Sequence, residues 1–231
     1  MAEALSVRAI WQRHKLVRVR PTAWRAVDDL PTGPDTVVLR AWAQMGRPFI
    51  VRRFLPGEGK ERIPLGVPLP PCHGKRRIAF CMDADDVTEH LPPISLRSGR
   101  DLAPRIWTDT IEALLDVAAR YGCEPVIAGS LLWQGLTGLA YLTARSDLDL
   151  IWPSAAACPA LLHELAAIES CSPMRLDGEI VSFEGNAVNW RELYSCLQGA
   201  SDTVLVKSMS GACVRRIDEM LKMSGVPRAA R

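Results

Sequence analysis

Asp147 and Asp149 stand one residue apart in "SDLDLIWP", a run that otherwise has the apolar character of a buried strand. Residues i and i+2 of a strand share a face. The two carboxylates and Ile151 therefore point one way, and Leu148, Leu150 and Trp152 point the other way, toward a core. Two carboxylates side by side repel, which raises the pKa of at least one. A divalent cation removes the conflict. Hard oxygen donors suit magnesium, which keeps several waters and also binds substrate phosphates. Upstream, Gly129-Ser130 lies between a strand-like "EPVIAGS" and an apolar, helix-like "LLWQGLTGLAYL". Such a turn offers backbone N–H groups and a hydroxyl at the positive end of a helix, a cradle for phosphate. Ser130 is the expected N-cap. Singly, each feature has a plain structural explanation: a solvated D-x-D pair, an ordinary helix cap. Together they point to metal-assisted chemistry on a phosphate.

The elements that must position these residues follow from periodicity and punctuation. From Arg105 to Tyr121, Trp107, Ile111, Leu114, Ala118 and Tyr121 recur every three or four residues, one stripe of a helix. Pro104 suits its start and Gly122 its C-terminal cap. "SDLDLIW" predicts a strand, and "CPALLHELAAIES" a helix with Pro159 in its first turn. "MRLDGEIVSFEGNAVNW" predicts two strands about a Glu184-Gly185-Asn186 turn. "WRELYSCLQG" reads as a short helix, "TVLVKS" as a strand and "GACVRRIDEMLKM" as a final helix. Trp133, Trp152 and Trp190 are expected in the core. Before residue 90 the texture differs. "LVRVR" (16–20), "FIVRRF" (49–54) and "RRIAFCM" (76–82) are β-like, "TAWRAVDDL" and "DTVVLRAWAQMG" helical. "IPLGVPLPPCHGK" (63–75), with four prolines, reads as punctuation. The proline-rich "HLPPISLRSGRDLAP" (90–104) marks a domain boundary.

Bulk properties narrow the classes. The 231 residues are 48% hydrophobic and 23% charged, enough apolar material for a real core. A net charge of +2 implies no large nucleic-acid footprint. The count of seven cysteines is odd and no C-x-x-C occurs, so reduced thiols are expected rather than a disulfide framework or a zinc site. No apolar run approaches the ~18 residues that span a membrane. The N-terminal residues carry charges where a signal peptide needs an apolar core. A cytoplasmic protein is expected. Cations cluster in "GKRRIAF", where Lys75, Arg76 and Arg77 open a strand, and Lys207 lies in "VLVKS". In a regular strand Lys75 and Arg77 would share a face. Positive charges of this kind also serve simply to protect a sheet edge.

A Gly-Ser at a helix start followed by D-x-D on the next strand resembles the nucleotidyltransferase fold of the polymerase-beta type. That resemblance implies a third carboxylate on a later strand, with Asp177 in "RLDGEI" the first candidate and Glu179 the second. With "IPLGVPLPPCHGKRRIAF" upstream and "LDGEI...NWREL" downstream, most of the chain, from "RHKLVRVRP" to "VLVKS", is similar to the malonate decarboxylase holo-acyl-carrier-protein synthases, or phosphoribosyl-dephospho-CoA transferases. The resemblance implies an α+β protein: a small β-rich accessory domain over 1–92, then a polymerase-beta-like nucleotidyltransferase domain over 93–231, a mixed sheet flanked by helices. It implies transfer of a phosphoribosyl-dephospho-CoA group from 2'-(5''-triphosphoribosyl)-3'-dephospho-CoA to a serine of the apo acyl-carrier subunit of malonate decarboxylase, with pyrophosphate released. Asp147 and Asp149 would then hold magnesium, and Asp177 would be a further ligand or a base. Gly129 and Ser130 would contact the leaving pyrophosphate, and Lys75, Arg77 and Lys207 the donor phosphates or an acidic carrier. Neither nucleic acid nor membrane is an expected partner. Another nucleotidyltransferase that uses ATP directly, or a degenerate binding module of the same fold, are the alternatives.

Overall fold

The computed structural model describes residues 11–23 and 34–218. The fold is mixed α+β, with two separate sheets. The chain divides into two compact units at Pro93/Ile94, with the short segments Leu136–Tyr141 and Met209–Gly211 grouping with the first.

The N-terminal unit is a five-stranded sheet of β1 (Leu16–Val19), β2 (Phe49–Val51), β3 (Ile63–Pro68), β4 (Arg77–Met82) and β5 (Val87–Leu91), in the order β4-β3-β2-β1-β5. The pairings are antiparallel. Helix α1 (Pro34–Gln44) buries Leu39, Trp42 and Ala43, and the sheet buries Val17, Phe49, Leu65 and Phe80. The proline-rich stretch contains a strand where the sequence predicts only punctuation. Pro64 and Pro68 fall near the two ends of β3, where a missing N–H is best tolerated, and Ile63, Leu65 and Val67 supply the apolar burial. The helix expected over 22–30 lies almost wholly outside the described residues.

Arg52 ties this unit together. Its guanidinium donates to the carbonyls of Leu65 at 2.9 Å and Phe80 at 3.1 Å, and to both carboxylate oxygens of Glu58 at 2.7 and 2.6 Å. The Arg52 hydrogen bonds hold the Glu58 carboxyl below its ordinary 4.5, against the opposing effect of burial. A carboxylate with a depressed folded pKa stabilises above its unfolded value and loses that contribution as pH falls through the folded one. Glu58→Gln is therefore expected to cost about 1–2 kcal/mol at neutral pH. The difference from wild type should be full above pH 4.5 and should shrink in more acid solution. Urea unfolding of both proteins at pH 7 and near pH 3 measures it. An equal difference at both pH values would remove the ion pair from the account.

The C-terminal unit opens with a one-turn helix α2 (Leu96–Gly99) and α3 (Thr108–Tyr121). Ser95 caps α2, its side chain accepting from the Ser98 N–H. The expected helix from Arg105 begins as a 3-10 turn over Arg105–Trp107, and Gly122 ends α3 with φ 62°. Then come β6 (Val126–Ile127), α4 (Gly129–Thr137), β7 (Leu148–Pro153), α5 (Pro159–Cys171), β8 (Leu176–Val181), β9 (Ala187–Asn189), α6 (Trp190–Leu197), β10 (Thr203–Ser208) and β11 (Gly211–Arg216). The six strands lie in the order β11-β10-β9-β8-β7-β6. β7 and β8 are parallel, joined through α5, while β6 pairs with β7, and β9 with β8 and β10, antiparallel. The final helix expected from Gly211 is corrected: residues 211–216 form β11, helical structure begins only at Ile217, and residues 219–231 are outside the described set. The unfilled edge of β10 draws these residues into a hairpin, which overrides their helical spacing.

This sheet has two unlike faces. Leu148 and Leu176 are in register, as are Trp152, Ile180 and Val188, and all five are buried. Trp152 is only 1% exposed, and full burial of an apolar side chain of this size is worth at least ~1.5–3 kcal/mol. Helix α6 packs on β8, β9 and β10, α5 packs on α6, and α3 on α5. The other face carries Asp149, Asp177, Glu179, Asn189 and Lys207, all half-buried.

Candidate active site

Asp149 and Asp177 are direct register partners on the parallel strands β7 and β8. Period two then puts both carboxylates on the polar face as neighbours. Gly178, the residue between Asp177 and Glu179, permits this pairing. A Cβ there would lie 2.1 Å from the Leu150 carbonyl oxygen and about as close as 3.1 Å to its carbon. Only glycine lets β8 approach β7 at this point.

Gly129 sits against the same carboxylate. The Ala128 N–H donates to the Asp149 carbonyl at 2.8 Å, which brings the start of α4 beside β7. Gly129 has φ 54°, and a Cβ on it would fall 1.8 Å from Asp149 Oδ2 and 2.9 Å from Asp149 Cβ. The helix starts at Gly129, two residues earlier than expected, so Ser130 lies in the first turn and is not the N-cap. Its half-buried position keeps it at the helix opening.

Asp147 immediately precedes β7, which begins at Leu148. A tight turn delivers it. The Thr143 N–H donates to Ser146 Oγ at 2.9 Å, and the Ser146 N–H to the Thr143 carbonyl at 3.1 Å. Ser146 is buried at 8% exposure. The turn is a polar clasp that the strand pattern alone does not reveal.

Asp177 and Glu179 have different company. Asp177 Oδ1 accepts from the Gly178 N–H at 2.8 Å and from Asn189 Nδ2 at 2.9 Å. Glu179 forms an ion pair with Lys207 at 2.8 Å, and the Glu179 side chain is 13% exposed. Glu179 is thus engaged by a cation, whereas Asp177 is oriented by neutral donors. Lys207 answers Glu179 and is neither a bare surface cation nor a lysine standing alone before a ligand.

Lys75 and Arg77 belong to the N-terminal unit. Arg77 opens β4, the edge strand, in register with Pro68, and is exposed. Lys75 precedes the strand with φ 53°, so the expectation that it shares a strand face with Arg77 is corrected. Gly74 before it is also left-handed, with φ 78°, and the pair turns the chain sharply before β4 begins. Arg76 is bound to Asp35 at 2.8 Å.

Burial pushes the thiols of Cys123 and Cys196 up, the opposite of what a nucleophile needs. All seven cysteines are free thiols. Among the described residues no three His, Cys, Asp or Glu side chains come together to hold a metal ion, and no helix is long and apolar enough to cross a membrane. The register partners Asp149 and Asp177 offer carboxylate oxygens. They fit a hard cation that needs only one or two carboxylates and takes its other ligands from water and phosphate.

Residues that the sequence pattern does not assign to the site hold the backbone around it. Trp190, at the start of α6, donates its indole N–H to the Leu176 carbonyl at 3.3 Å. Arg191 donates to the same carbonyl and forms an ion pair with Glu169, whose Oε1 accepts from the Leu176 N–H at 2.9 Å. Glu192 accepts from the Leu205 N–H at 2.6 Å. Asn189 both caps α6 and reaches Asp177. The available signals were a glycine inside a strand pattern, which marks a close backbone approach, and an asparagine directly before a helix.

Carboxylates lie on one sheet face, beside a glycine-opened helix start, an arrangement suited to transfer of a phosphate-bearing group. The comparisons with known proteins identify the class. Residues 12–93 match the family model for the phosphoribosyl-dephospho-CoA transferase MdcG N-terminal domain, and residues 95–217 the one for its C-terminal domain. The chain is 43% identical over 203 residues to the phosphoribosyl-dephospho-CoA transferase of Bradyrhizobium diazoefficiens, covering 85% of this chain and 86% of that protein. It is 39% identical over 199 residues to the protein of that name from Xanthomonas euvesicatoria pv. vesicatoria (85% and 90% covered). It is 38% identical over 175 residues to the one from Xanthomonas campestris pv. campestris (75% and 80% covered). The chain belongs to the MdcG phosphoribosyl-dephospho-CoA transferase family, and it is a transferase enzyme. No solved structure matches it.

Proposed function

We propose that this enzyme attaches a phosphoribosyl-dephospho-CoA group to a serine of the apo acyl-carrier subunit of malonate decarboxylase, using 2'-(5''-triphosphoribosyl)-3'-dephospho-CoA as donor. The observation that carries the reading is the in-register pair Asp149–Asp177 against the glycine that opens α4. Membership of the transferase family supplies the donor and carrier classes. A mixed sheet with helices on one face and carboxylates on the other supports a polymerase-beta-like nucleotidyltransferase arrangement. The free thiols support a reducing, cytoplasmic setting.

In this reading the serine oxygen of the carrier attacks the phosphorus nearest the ribose and gives up its hydroxyl proton to water. The bond from that phosphorus to the pyrophosphate oxygen breaks, pyrophosphate leaves, and a phosphodiester remains. Such transfers depend on positioning and charge neutralisation, because the phosphates themselves supply the reacting atoms. Magnesium, when bound, supplies positive charge against the phosphates. Asp147 and Asp149 would hold it, and Asp177 would complete the acidic set. The N–H groups of the first turn of α4, with the Ser130 hydroxyl, bind the leaving pyrophosphate. Lys207 limits the negative charge of the face by answering Glu179. Lys75 and Arg77 are cations available to the donor phosphates or to an acidic carrier.

Intact-mass measurement of apo carrier, incubated with the enzyme, magnesium and the triphosphoribosyl donor, tests the reaction. The carrier gains the mass of the phosphoribosyl-dephospho-CoA group, and omission of magnesium prevents the gain. An adenylyl-sized gain with ATP, and none with this donor, would replace the proposal with protein adenylylation. The acidic set has its own ranking. Asp177→Ala lowers turnover at least about tenfold more than Glu179→Ala does. Glu179→Ala instead costs stability by leaving Lys207 unanswered, roughly 1–2 kcal/mol. The reverse order in turnover would exchange the roles of the two residues.

A further inference from the structure

Asn189 sits at a junction. It ends β9 and precedes α6, and it is the register partner of Glu179 on β8. Its side chain therefore lies on the same sheet face as Asp177, one pair along. Its Oδ1 accepts from the Arg191 N–H at 2.9 Å, the N-cap bond of α6. Its Nδ2 donates to Asp177 Oδ1 at 2.9 Å. The two bonds depend on each other. An N–H at the cap can be met only by the oxygen end of the amide, so the nitrogen end has to face Asp177. A flipped amide would lose both.

The consequence falls on Asp177. Its two protein hydrogen bonds, from the Gly178 N–H and from Asn189, both end on Oδ1. The carboxylate is pinned through one oxygen, and Oδ2 has no hydrogen bond from the described residues. The backbone just before Asp177 is pinned as well, by the contacts of Leu176 with Glu169, Trp190 and Arg191. Asn189 belongs to neither the acidic set nor the apolar core.

We propose that Asn189 is a positioning residue for the reaction: it uses the cap of α6 as a fixed anchor and holds Asp177 so that one carboxylate oxygen is presented to the substrate side. The inference rests on the reading of Asp177 as a member of the active site. Asparagine, aspartate and serine are near-equivalent helix caps, which separates the two duties of the residue. Asn189→Ser keeps the cap but lacks the reach to Asp177. Asn189→Asp keeps the cap and aims a second carboxylate at the first. Both variants, in the full-length enzyme, are expected to retain a thermal midpoint near that of wild type. The turnover number should fall roughly 10- to 100-fold, the usual effect of a small misplacement, while KM for the triphosphoribosyl donor stays close to wild type. Asn189→Asp should be the more severe. A second readout needs no turnover: the side-chain amide resonances of Asn189, followed by 1H–15N NMR, move when Asp177 is replaced by alanine.

Asp177→Asn assayed in parallel separates the failures. If Asp177→Asn is inactive and both Asn189 variants turn over within twofold of wild type, Asn189 is a helix cap and nothing more. If Asn189 amide resonances ignore Asp177→Ala, the hydrogen bond does not exist in solution and the proposal falls. If Asp177→Asn itself retains full turnover, the reading of Asp177 is wrong, and the role of Asn189 in the reaction goes with it.

Discussion

Asp149→Ala leaves the protein folded and reduces carrier modification about a thousandfold, the equivalent of ~4 kcal/mol at roughly 1.4 kcal/mol per factor of ten. The expectation has two parts. The side chain is on the polar face, half-buried, and no part of the apolar packing that Leu148, Leu150 and Trp152 supply from the opposite face of β7. Removing one of several crowded carboxylates also relieves repulsion, so thermal stability should be unchanged or slightly raised. The reaction loses the carboxylate that lies against Gly129 and in register with Asp177. Asp147→Ala behaves alike in activity. Thermal melting and the intact-mass assay, on the same preparations, measure both parts. Near-normal turnover in either variant means that the carboxylates serve the fold and that the chemistry lies elsewhere. Unfolding of the variants would mean that the polar face is structural.

Gly178→Ala is expected to damage fold and activity together, in contrast. The added methyl meets backbone atoms of Leu150, at 2.1 Å from the carbonyl oxygen and about as close as 3.2 Å to the nitrogen, and a backbone cannot rotate out of the way. β8 must draw away from β7, which breaks the register that sets Asp177 opposite Asp149. Overpacking of this severity costs ~3 kcal/mol or more. In a protein of this size that lowers the midpoint by roughly 6–12 °C, with turnover lost even where the variant stays folded. Gly129→Ala is a useful companion. Its methyl would strike the Asp149 side chain rather than a strand backbone. Activity should then fall with a smaller loss of stability, about 1–2 kcal/mol for a left-handed alanine. A Gly178→Ala protein as stable as wild type would show that the two strands are further apart than described.

Locally patterned parts of this chain were legible in its sequence. The stripe from Trp107 to Ala118 is buried as its spacing predicts, and β7 alternates about Leu148, Leu150 and Trp152. Pro159 opens α5, and Gly122 closes α3. All of these are written within a few residues of where they act. Features that depend on distant partners were not legible. β3 forms through its prolines because β2 and β4 flank it, and β11 exists because β10 offers an edge. The helix start lies two residues before the one that Ser130 as cap would set, since α4 begins where the Ala128–Asp149 backbone bond holds the chain beside β7. At the site, the residue types of Asp149 and Asp177 could be read, but their register could not. Asn189 was invisible for the same reason: its duty lies twelve residues back, on another strand.

The parallel pairing of β7 and β8 also governs when the site comes into being. An antiparallel hairpin closes locally, whereas parallel neighbours need an intervening crossover, here α5, to be in place first. Non-local pairings of this sort form slowly, because loop closure precedes any reward from the new contacts. Asp149 emerges from the ribosome before Asp177 and before the α6 start that steadies it. A nascent chain that has reached α5 carries two clustered carboxylates and no third. The complete acidic face appears only once β8 docks beside β7, and the α6 start that steadies Asp177 arrives later still.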